Sequence, residues 1–240
     1  MENFLFTEEV LTHGTIIAPC IKPSTSPAPF LRHEIANSIS LTIKNFPNIL
    51  EMFAPKSHAL ASDIWSNIRS CENIHLAENQ TCATSMNSMI MFVTSVLGTR
   101  NLQAFSSSEV PVEGISSGSQ RYMVVAARRV TTSRSKMEET TMTCHGVEFP
   151  FAVFYCHTEN PTRIYEVNLE NQEDAQTKTT MRALVVCHLD TSKFDPKIPF
   201  FAKRHIKPGD VPLCHFLERG GILWAPAAAS AQDDGISIAR

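Results

Sequence analysis

Residues 144–215 read CHGVEFPFAVFYCHTENPTRIYEVNLENQEDAQTKTTMRALVVCHLDTSKFDPKIPFFAKRHIKPGDVPLCH, and the dipeptide Cys-His occurs four times in them. The four pairs are Cys144-His145, Cys156-His157, Cys187-His188 and Cys214-His215, with 10, 29 and 25 residues between successive pairs. With 7 Cys and 9 His in 240 residues, chance predicts about 0.3 such dipeptides. The repetition of adjacent thiols and imidazoles is therefore a built feature of the chain.

The composition is that of an ordinary globular chain, with 43% hydrophobic and 19% charged residues. The net charge is only −3. The densest basic stretch, Arg128-Arg129 with Arg134 and Lys136, is too sparse for a nucleic-acid footprint. Uninterrupted apolar runs are all shorter than a membrane span. We therefore expect neither a nucleic acid nor a membrane as a partner.

The first residues do not read as a secretory signal, because Glu2, Glu8 and Glu9 replace the basic region and no apolar region follows. The chain is thus either cytosolic or a mature or truncated form of a secreted protein. Zinc modules space their ligands two to four residues apart, unlike the cysteines here. All cysteines except Cys20 could instead close three disulfides, which favours an oxidising compartment over free thiols. The six are Cys71, Cys82, Cys144, Cys156, Cys187 and Cys214.

Two helices are predicted in the N-terminal half, from Ser57 to Ser70 and from Ala83 to Leu97, because apolar residues recur there at spacings of three and four. A disulfide between Cys71 and Cys82 would link the end of the first helix to the start of the second. Such a short loop contributes about 2–3 kcal/mol on the chain-entropy estimate. The tripeptide that begins at Asn79 in this loop, Asn-Gln-Thr, is an N-glycosylation sequon.

Strand-like segments dominate after the Gly/Ser-rich stretch Gly114 to Ser119, since they are rich in Val, Ile, Tyr and Phe. The predicted strands are Arg121–Val130, Phe149–Cys156, Arg163–Leu169 and Arg182–His188, preceded by short ones at Phe4–Phe6 and Thr15–Ile17. Strands and helices do not alternate, which argues against a parallel sheet. The predicted class is α+β, with a helical N-terminal half packed on a mostly antiparallel β-sheet C-terminal half in a single disulfide-linked domain.

The alternation of side chains along a strand predicts where the cysteine and the histidine of each Cys-His pair lie. Successive side chains point to opposite faces, so Cys156 and His157 cannot easily bind the same ion. The economical arrangement pairs the thiols as disulfides on one face while the imidazoles converge on the other. Imidazole sites suit copper, zinc or nickel, and copper binds most tightly. Copper(II) is therefore the expected metal; the alternative is that each histidine is only a hydrogen-bonded structural residue. The expected ligands are His145, His157, His188 and His215.

The Cys-His pattern resembles that of the plant BURP domain. Further segments that carry the resemblance are Cys71-Glu72, Cys82 to Met89, Phe151 to His157, Cys187 to Ser192 and Pro208 to Phe216, with Trp224 as the closing tryptophan. The resemblance covers about residues 4–224, which leaves 1–3 as an N-terminal tail and 225–240 as a flexible C-terminal tail. The 29-residue gap is longer than is usual in the family, which suggests an insertion around Asn171 to Thr179.

This resemblance implies a protein secreted to the apoplast or cell wall, made with a signal peptide that is absent from this chain. It also implies that His145, His157, His188 and His215 bind copper and that the neighbouring cysteines form disulfides. Some BURP-domain proteins are copper-dependent peptide cyclases that crosslink a tryptophan or tyrosine in a core peptide. Others are non-catalytic wall companions of polygalacturonase, or seed- and stress-related proteins.

Two functions therefore compete. The tyrosines and tryptophans all lie inside the predicted domain, and residues 225–240 contain no aromatic residue, so no core peptide is attached. We expect a secreted, wall-associated or seed- and stress-related module with a histidine-bound copper site. Its partner would be a cell-wall polysaccharide or polygalacturonase. The alternative is a copper-dependent peptide cyclase that acts on a separate peptide substrate.

Overall fold

The structure, a computed structural model, describes residues 4–24, 28–55, 57–73, 79–130, 140–158, 161–173, 179–227 and 237–238. The chain forms two compact units. Unit 1 comprises Met1–Ser24, Asn101–Thr141 and Glu159–Arg240, and unit 2 comprises Thr25–Arg100 and Met142–Thr158. The first two Cys-His pairs therefore belong to unit 2 and the last two to unit 1.

Both units contain helices and strands. The α-helices are α1 (His33–Ser38), α2 (Phe46–Phe53), α3 (His58–Asn73), α4 (Met86–Leu97) and α5 (Pro199–Arg204), and 3-10 turns lie at Glu8–Leu11 and Ile43–Asn45. The strands are β1 (Ile16–Ile17), β2 (Gln80–Ala83), β3 (Leu102–Phe105), β4 (Tyr122–Arg129), β5 (Met142–Gly146), β6 (Phe154–His157), β7 (Thr162–Asn171), β8 (Thr180–His188), β9 (Leu213–Phe216), β10 (Ile222–Pro226) and β11 (Ser237–Ile238).

Unit 1 is built on a five-stranded antiparallel sheet in the order β1-β4-β7-β8-β9. Alternate residues of β8 pack into different clusters: Val185 and Cys187 lie in one core, Leu184 and Val186 in another. Both faces of this strand are thus buried, which explains its nearly continuous apolar sequence. In the same unit, β3 pairs antiparallel with β10 and parallel with β11.

Unit 2 combines α1 to α4 with β5, β6 and β2, which pair antiparallel in that order. Ile64 and Ile68 of α3 are fully buried in a core that also contains Phe149 and Phe151. This confirms that the apolar spacing along α3 marks its buried face. Helix α4 begins at a capping box formed by Ser85 and ends at Gly98, whose φ of 67° is left-handed.

The α+β class with antiparallel sheets is confirmed, but the predicted division into a helical N-terminal half and a β C-terminal half is not supported. Strands β1 and β2 lie in the N-terminal half, and α5 lies in the C-terminal half. Ala83, predicted to start a helix, ends β2 because it pairs opposite Phe154. The strand predicted from Phe149 begins only at Phe154, since the preceding residues connect β5 to β6 while filling the core of unit 2.

Parts of the sequence-based predictions fall outside the described residues. These are the tail 1–3, most of the insertion predicted around residue 175, and all of the tail 225–240 except 225–227 and β11. Among the residues that are described, none of the helices is long and apolar enough to span a bilayer.

Candidate functional site

Three disulfides join the six cysteines that the sequence singled out. They are Cys71–Cys82, Cys144–Cys156 and Cys187–Cys214, and Cys20 is a partly buried free thiol. Each bridge closes within one unit. Cys71 lies on α3, but Cys82 lies on β2 and not at the start of a helix, because β2 pairs with β6 at this position.

The Cys187–Cys214 bridge fixes the register of β8 against β9. The two cysteines are directly opposed, with Cα atoms 3.9 Å apart, and both are fully buried. Their side chains lie in the core cluster that also contains Val185 and Phe216. Because side chains alternate along a strand, the histidine after each cysteine points to the other face of the sheet.

On that face, His188 and His215 form a close pair. Their Nε2 atoms are 3.2 Å apart, the ring centroids are 5.3 Å apart, and the planes are inclined by 25°. Both side chains are buried, with 5% and 8% of their surface exposed. The two imidazole nitrogens that could bind a metal are therefore shielded from solvent.

The hydrogen bonds define the tautomers of this pair. Nδ1 of His215 lies 3.0 Å from the carbonyl oxygen of Phe216, which accepts only, so Nδ1 carries the proton. In the neutral ring, Nε2 of His215 therefore presents a lone pair and accepts from Nε2–H of His188. Ligand histidines commonly donate their second N–H to a backbone carbonyl, as His215 does here.

Two phenylalanines enclose the pair. The ring of Phe4 is stacked on His215, with 5.3 Å between centroids and 17° between planes. Phe194 meets His188 edge-on, with centroids 5.7 Å apart. An apolar surround limits the access of water to the two imidazoles.

Unit 2 repeats the same arrangement. Cys144 and Cys156 are directly opposed on β5 and β6, with Cα atoms 4.0 Å apart, and their bridge is buried. The rings of His145 and His157 are stacked, with centroids 5.3 Å apart and planes inclined by 16°. Tyr155 is stacked on His157, with centroids 5.2 Å apart. The chain therefore contains two stacked histidine pairs, each next to a cross-strand disulfide, but the second pair is only half-buried.

A cavity of about 390 Å³ is lined in part by Tyr155, the residue stacked on His157. Tyr155 lines it and donates its hydroxyl hydrogen to Oε1 of Gln80 at 3.1 Å. The lining is uncharged and combines polar with apolar side chains: Asn67, Ser70, Cys71, Gln80, Cys82, Val147 and Tyr155. Tyr155 thus connects the stacked imidazoles to an uncharged, partly apolar space.

The 3.2 Å separation of the His188 and His215 nitrogens fits a shared metal ion. Two nitrogens that each lie about 2.0–2.1 Å from one ion are at most about 4.2 Å apart. Within the described ranges, no three or more His, Cys, Asp or Glu side chains are grouped closely enough to hold a metal. Each pair therefore offers two imidazole ligands, and a single site formed by all four histidines stays a prediction.

Sequence reasoning missed the aromatic residues around the pairs. Tyr155 stands two positions before His157, so strand alternation could have placed both on one face. Phe4 and Phe194 gave no comparable signal, because their contacts with the histidines depend on the tertiary fold. Asn79 of the predicted sequon is exposed and immediately precedes β2.

Comparison with known proteins identifies the class to which this disulfide-linked α+β chain belongs. Residues 4–226 match the BURP domain, and the chain is a member of that family. It is 34% identical to BURP domain-containing protein 11 of Oryza sativa subsp. japonica, over 94% of this chain and 76% of that protein. It is 34% identical to rice BURP domain-containing protein 9, over 94% of this chain and 42% of that protein. Protein RAFTIN 1B of Triticum aestivum is 32% identical, over 92% of this chain and 59% of its own length, so the chain spans about half of the last two relatives.

Proposed function

We propose that this chain is an extracellular plant BURP-domain protein whose histidine pairs bind copper(II), and that it serves as a non-catalytic module of the cell wall or of seed and stress physiology. The observation that carries the proposal is the 3.2 Å approach of His188 Nε2 to His215 Nε2 beside a disulfide. Imidazole sites bind copper more tightly than other divalent first-row metals. Three disulfides support an oxidising compartment, where copper(II) persists.

The residues around each pair have separable roles in this proposal. The disulfide holds two strands in register, and the carbonyl of Phe216 orients His215 through its Nδ1–H. His188 must give up its Nε2 proton, or move it to Nδ1, before both nitrogens can bind one ion. Bound copper would add a cationic crosslink between β8 and β9 and, with coordination positions left open, one-electron chemistry.

The aromatic residues favour the non-catalytic function over self-crosslinking. Tyr122, Tyr155 and Tyr165 lie on strands, where backbone pairing holds them within the fold. Trp224 is only 3% exposed on β10. Trp65 is 39% exposed but lies within helix α3, so it too belongs to the folded domain and not to a free core peptide. The partners we propose are a cell-wall polysaccharide or polygalacturonase, with Asn79 carrying a glycan.

Metal analysis of protein secreted into an oxidising medium tests the proposal. Wild type should contain copper, and a variant with His157→Ala and His188→Ala should lose it while keeping all three disulfides. His13→Ala is the matched control, since His13 is exposed and bonds only to the carbonyl of Val125 at 2.7 Å among the contacts described. Unchanged copper in the double variant would refute the site.

A copper-dependent peptide cyclase acting in trans is the second candidate. The observation that favours it is the two-imidazole ligand set, which leaves positions on an ion for a further ligand. The uncharged cavity beside Tyr155 gives a peptide side chain a place to bind. Copper-dependent dioxygen consumption and a crosslinked product from a tryptophan-containing peptide would establish this activity. Binding of pectin or polygalacturonase, with no crosslinking of a peptide substrate, would establish the non-catalytic wall module.

A further inference from the structure

The N-terminal residues of unit 1 are joined to the edge strand that carries His215. Phe6 forms an antiparallel bridge with Cys214, in which each backbone N–H donates to the other carbonyl, at 3.0 and 2.7 Å. The ring of Phe6 also lies 5.2 Å from that of Phe216. We call Phe4–Leu11 the N-terminal cover. Through Phe6 it pairs with β9 along the side of that strand that β8 leaves unpaired.

Glu8 anchors this cover to the disulfide face of the sheet. Its carboxylate accepts hydrogen bonds from Nη1 of Arg163, at 2.8 and 3.2 Å, and from the hydroxyl of Tyr165. Tyr165 packs on the same core as Cys187 and Phe6. The anchor is therefore on the face of the sheet that is opposite to the imidazoles.

Phe4 lies on the other side of the strand edge. Its ring is stacked on His215 on the imidazole face, and Nζ of Lys22 lies 5.0 Å from the centre of the Phe4 ring. The cover thus wraps around the edge of β9, with Glu8 and Phe6 on the disulfide face and Phe4 over the histidines. Phe4 on His215 and Phe194 on His188 are thus ring neighbours of the buried pair.

We infer that the N-terminal cover controls access to the His188–His215 pair, with Glu8 as its anchor and Phe4 as its shield. In the contacts described, one backbone bridge, the Glu8 cluster and the side-chain packing of Leu5, Phe6 and Leu11 hold the segment. Each sheet strand is held in addition by a ladder of backbone hydrogen bonds, so the Phe4 end of the cover opens at lower cost than the sheet itself. Opening would admit a metal ion or a reagent without disturbing the Cys187–Cys214 bridge. The effect of the cover on copper binding rests on the proposed function, whereas its effect on the access of other reagents to the two histidines does not.

Carbethoxylation by diethyl pyrocarbonate of the metal-free protein tests the cover, with each histidine quantified by peptide mass spectrometry. Phe4→Ala should raise the modification rates of His188 and His215 about tenfold or more, because the shield is lost. Phe4→Tyr keeps a stacked ring and should retain the wild-type rates. His145 and His157, in unit 2, are internal references that should not change.

Two further variants separate shielding from general loosening. Glu8→Ala keeps Phe4 but removes the anchor, so it should also accelerate modification of the pair. Phe30→Ala removes a comparable stack, on Phe154 in unit 2 with centroids 5.6 Å apart, and should leave His188 and His215 at their wild-type rates. Unchanged rates for the pair in both Phe4→Ala and Glu8→Ala would overturn the inference, as would faster modification of all four histidines alike.

Copper uptake gives a separate readout. Phe4→Ala should load copper faster than wild type while the disulfides stay intact. If neither protein binds copper, the proposed function fails, and the carbethoxylation rates alone still decide whether the cover exists.

Discussion

His188 and His215 bring their Nε2 atoms to 3.2 Å although neither is the direct partner of the other in the sheet. The register pairs His188 with Leu213 and His215 with Val186, while Cys187 and Cys214 are opposed between them. The two imidazoles therefore meet along a diagonal across the strands. Diagonal neighbours on a ladder are about 7–8 Å apart at the backbone, a distance that two imidazole side chains can bridge, and the disulfide between the cysteines holds the two strands in this register.

Removing each disulfide should show how much it stabilises the fold. Cys187→Ala with Cys214→Ala should lower the free energy of unfolding by about 3.5 kcal/mol, because the bridge closes a loop with a sequence separation of 27. Cys144→Ala with Cys156→Ala should lower it by about 2.8 kcal/mol for a separation of 12. Guanidinium denaturation of each variant measures the difference. An unchanged midpoint in both would show that strand pairing alone stabilises these strand pairs.

The two histidine pairs should contribute to copper binding separately. His215→Ala removes a proposed ligand from unit 1, and His145→Ala removes one from unit 2. Because each pair is complete within its own unit, each variant should lose part of the copper and the combination should lose all of it. Equilibrium dialysis with metal analysis checks this. Complete loss in either single variant would instead support one site shared by all four histidines.

Stability in alkali should depend on Tyr165. Burial, followed by its contacts with Glu8, raises the pKa of Tyr165 to about 12, from an ordinary value of 10.0. Between these values the unfolded chain has released the proton and the folded chain has kept it, so the free energy of unfolding falls as pH rises. Tyr165→Phe cannot titrate and should flatten that decline between pH 10 and 12. Denaturation midpoints at several pH values measure both slopes, and equal slopes would contradict the assignment.

The capping box of α4 should be a local source of stability in unit 2. The Ser85 hydroxyl accepts from the backbone N–H of Ser88 at 3.1 Å and contacts Nδ1 of His33 at 3.0 Å. Ser85→Ala should therefore cost about 1–2 kcal/mol. Ser95→Ala, in the same helix, removes an exposed hydroxyl bonded to the carbonyl of Phe92 and should change stability by less than about 0.5 kcal/mol. Thermal denaturation followed by circular dichroism compares them.

Gly114 and Gly118 share a left-handed backbone but differ in the space around them. Their φ angles are 70° and 75°, so alanine at either position costs about 1–2 kcal/mol. A Cβ at Gly114 would lie 2.4 Å from the carbonyl oxygen of Ile21, whereas one at Gly118 meets nothing within 4 Å. Gly114→Ala should thus lose about 3 kcal/mol or more, through disruption of the Ile21–Ile115 bridge. Urea denaturation of both variants tests the difference, and equal losses would exclude a steric origin.

The candidate site was predictable to the extent that it follows from strand alternation. That rule places Cys187 and His188 on opposite faces, and the structure has them there. The stacking of Phe4 on His215 was not predictable, because it joins residues 211 positions apart through a turn around a sheet edge. Local patterns carry no information about such contacts.

The helices were predictable from the sequence where regularly spaced apolar residues continue over several turns. The spacing of Ile64 and Ile68 identifies α3, but α2 is only eight residues long and has Pro47 in its first turn. Strand β2 escaped prediction because Cys82 and Ala83 form a strand only by pairing with β6. Its sequence neighbours on the C-terminal side begin a helix, so local propensity gave the wrong boundary.

Strand β2 also determines what an oligosaccharide at Asn79 would do. Within the described part of unit 2, this strand is paired on one side, with β6, and its other side is an edge. Unpaired edges can template association with a second chain, a hazard that proteins counter with bulky or charged groups. If Asn79 carried a branched sugar, its bulk next to the start of β2 would hinder two molecules from joining their sheets along this edge.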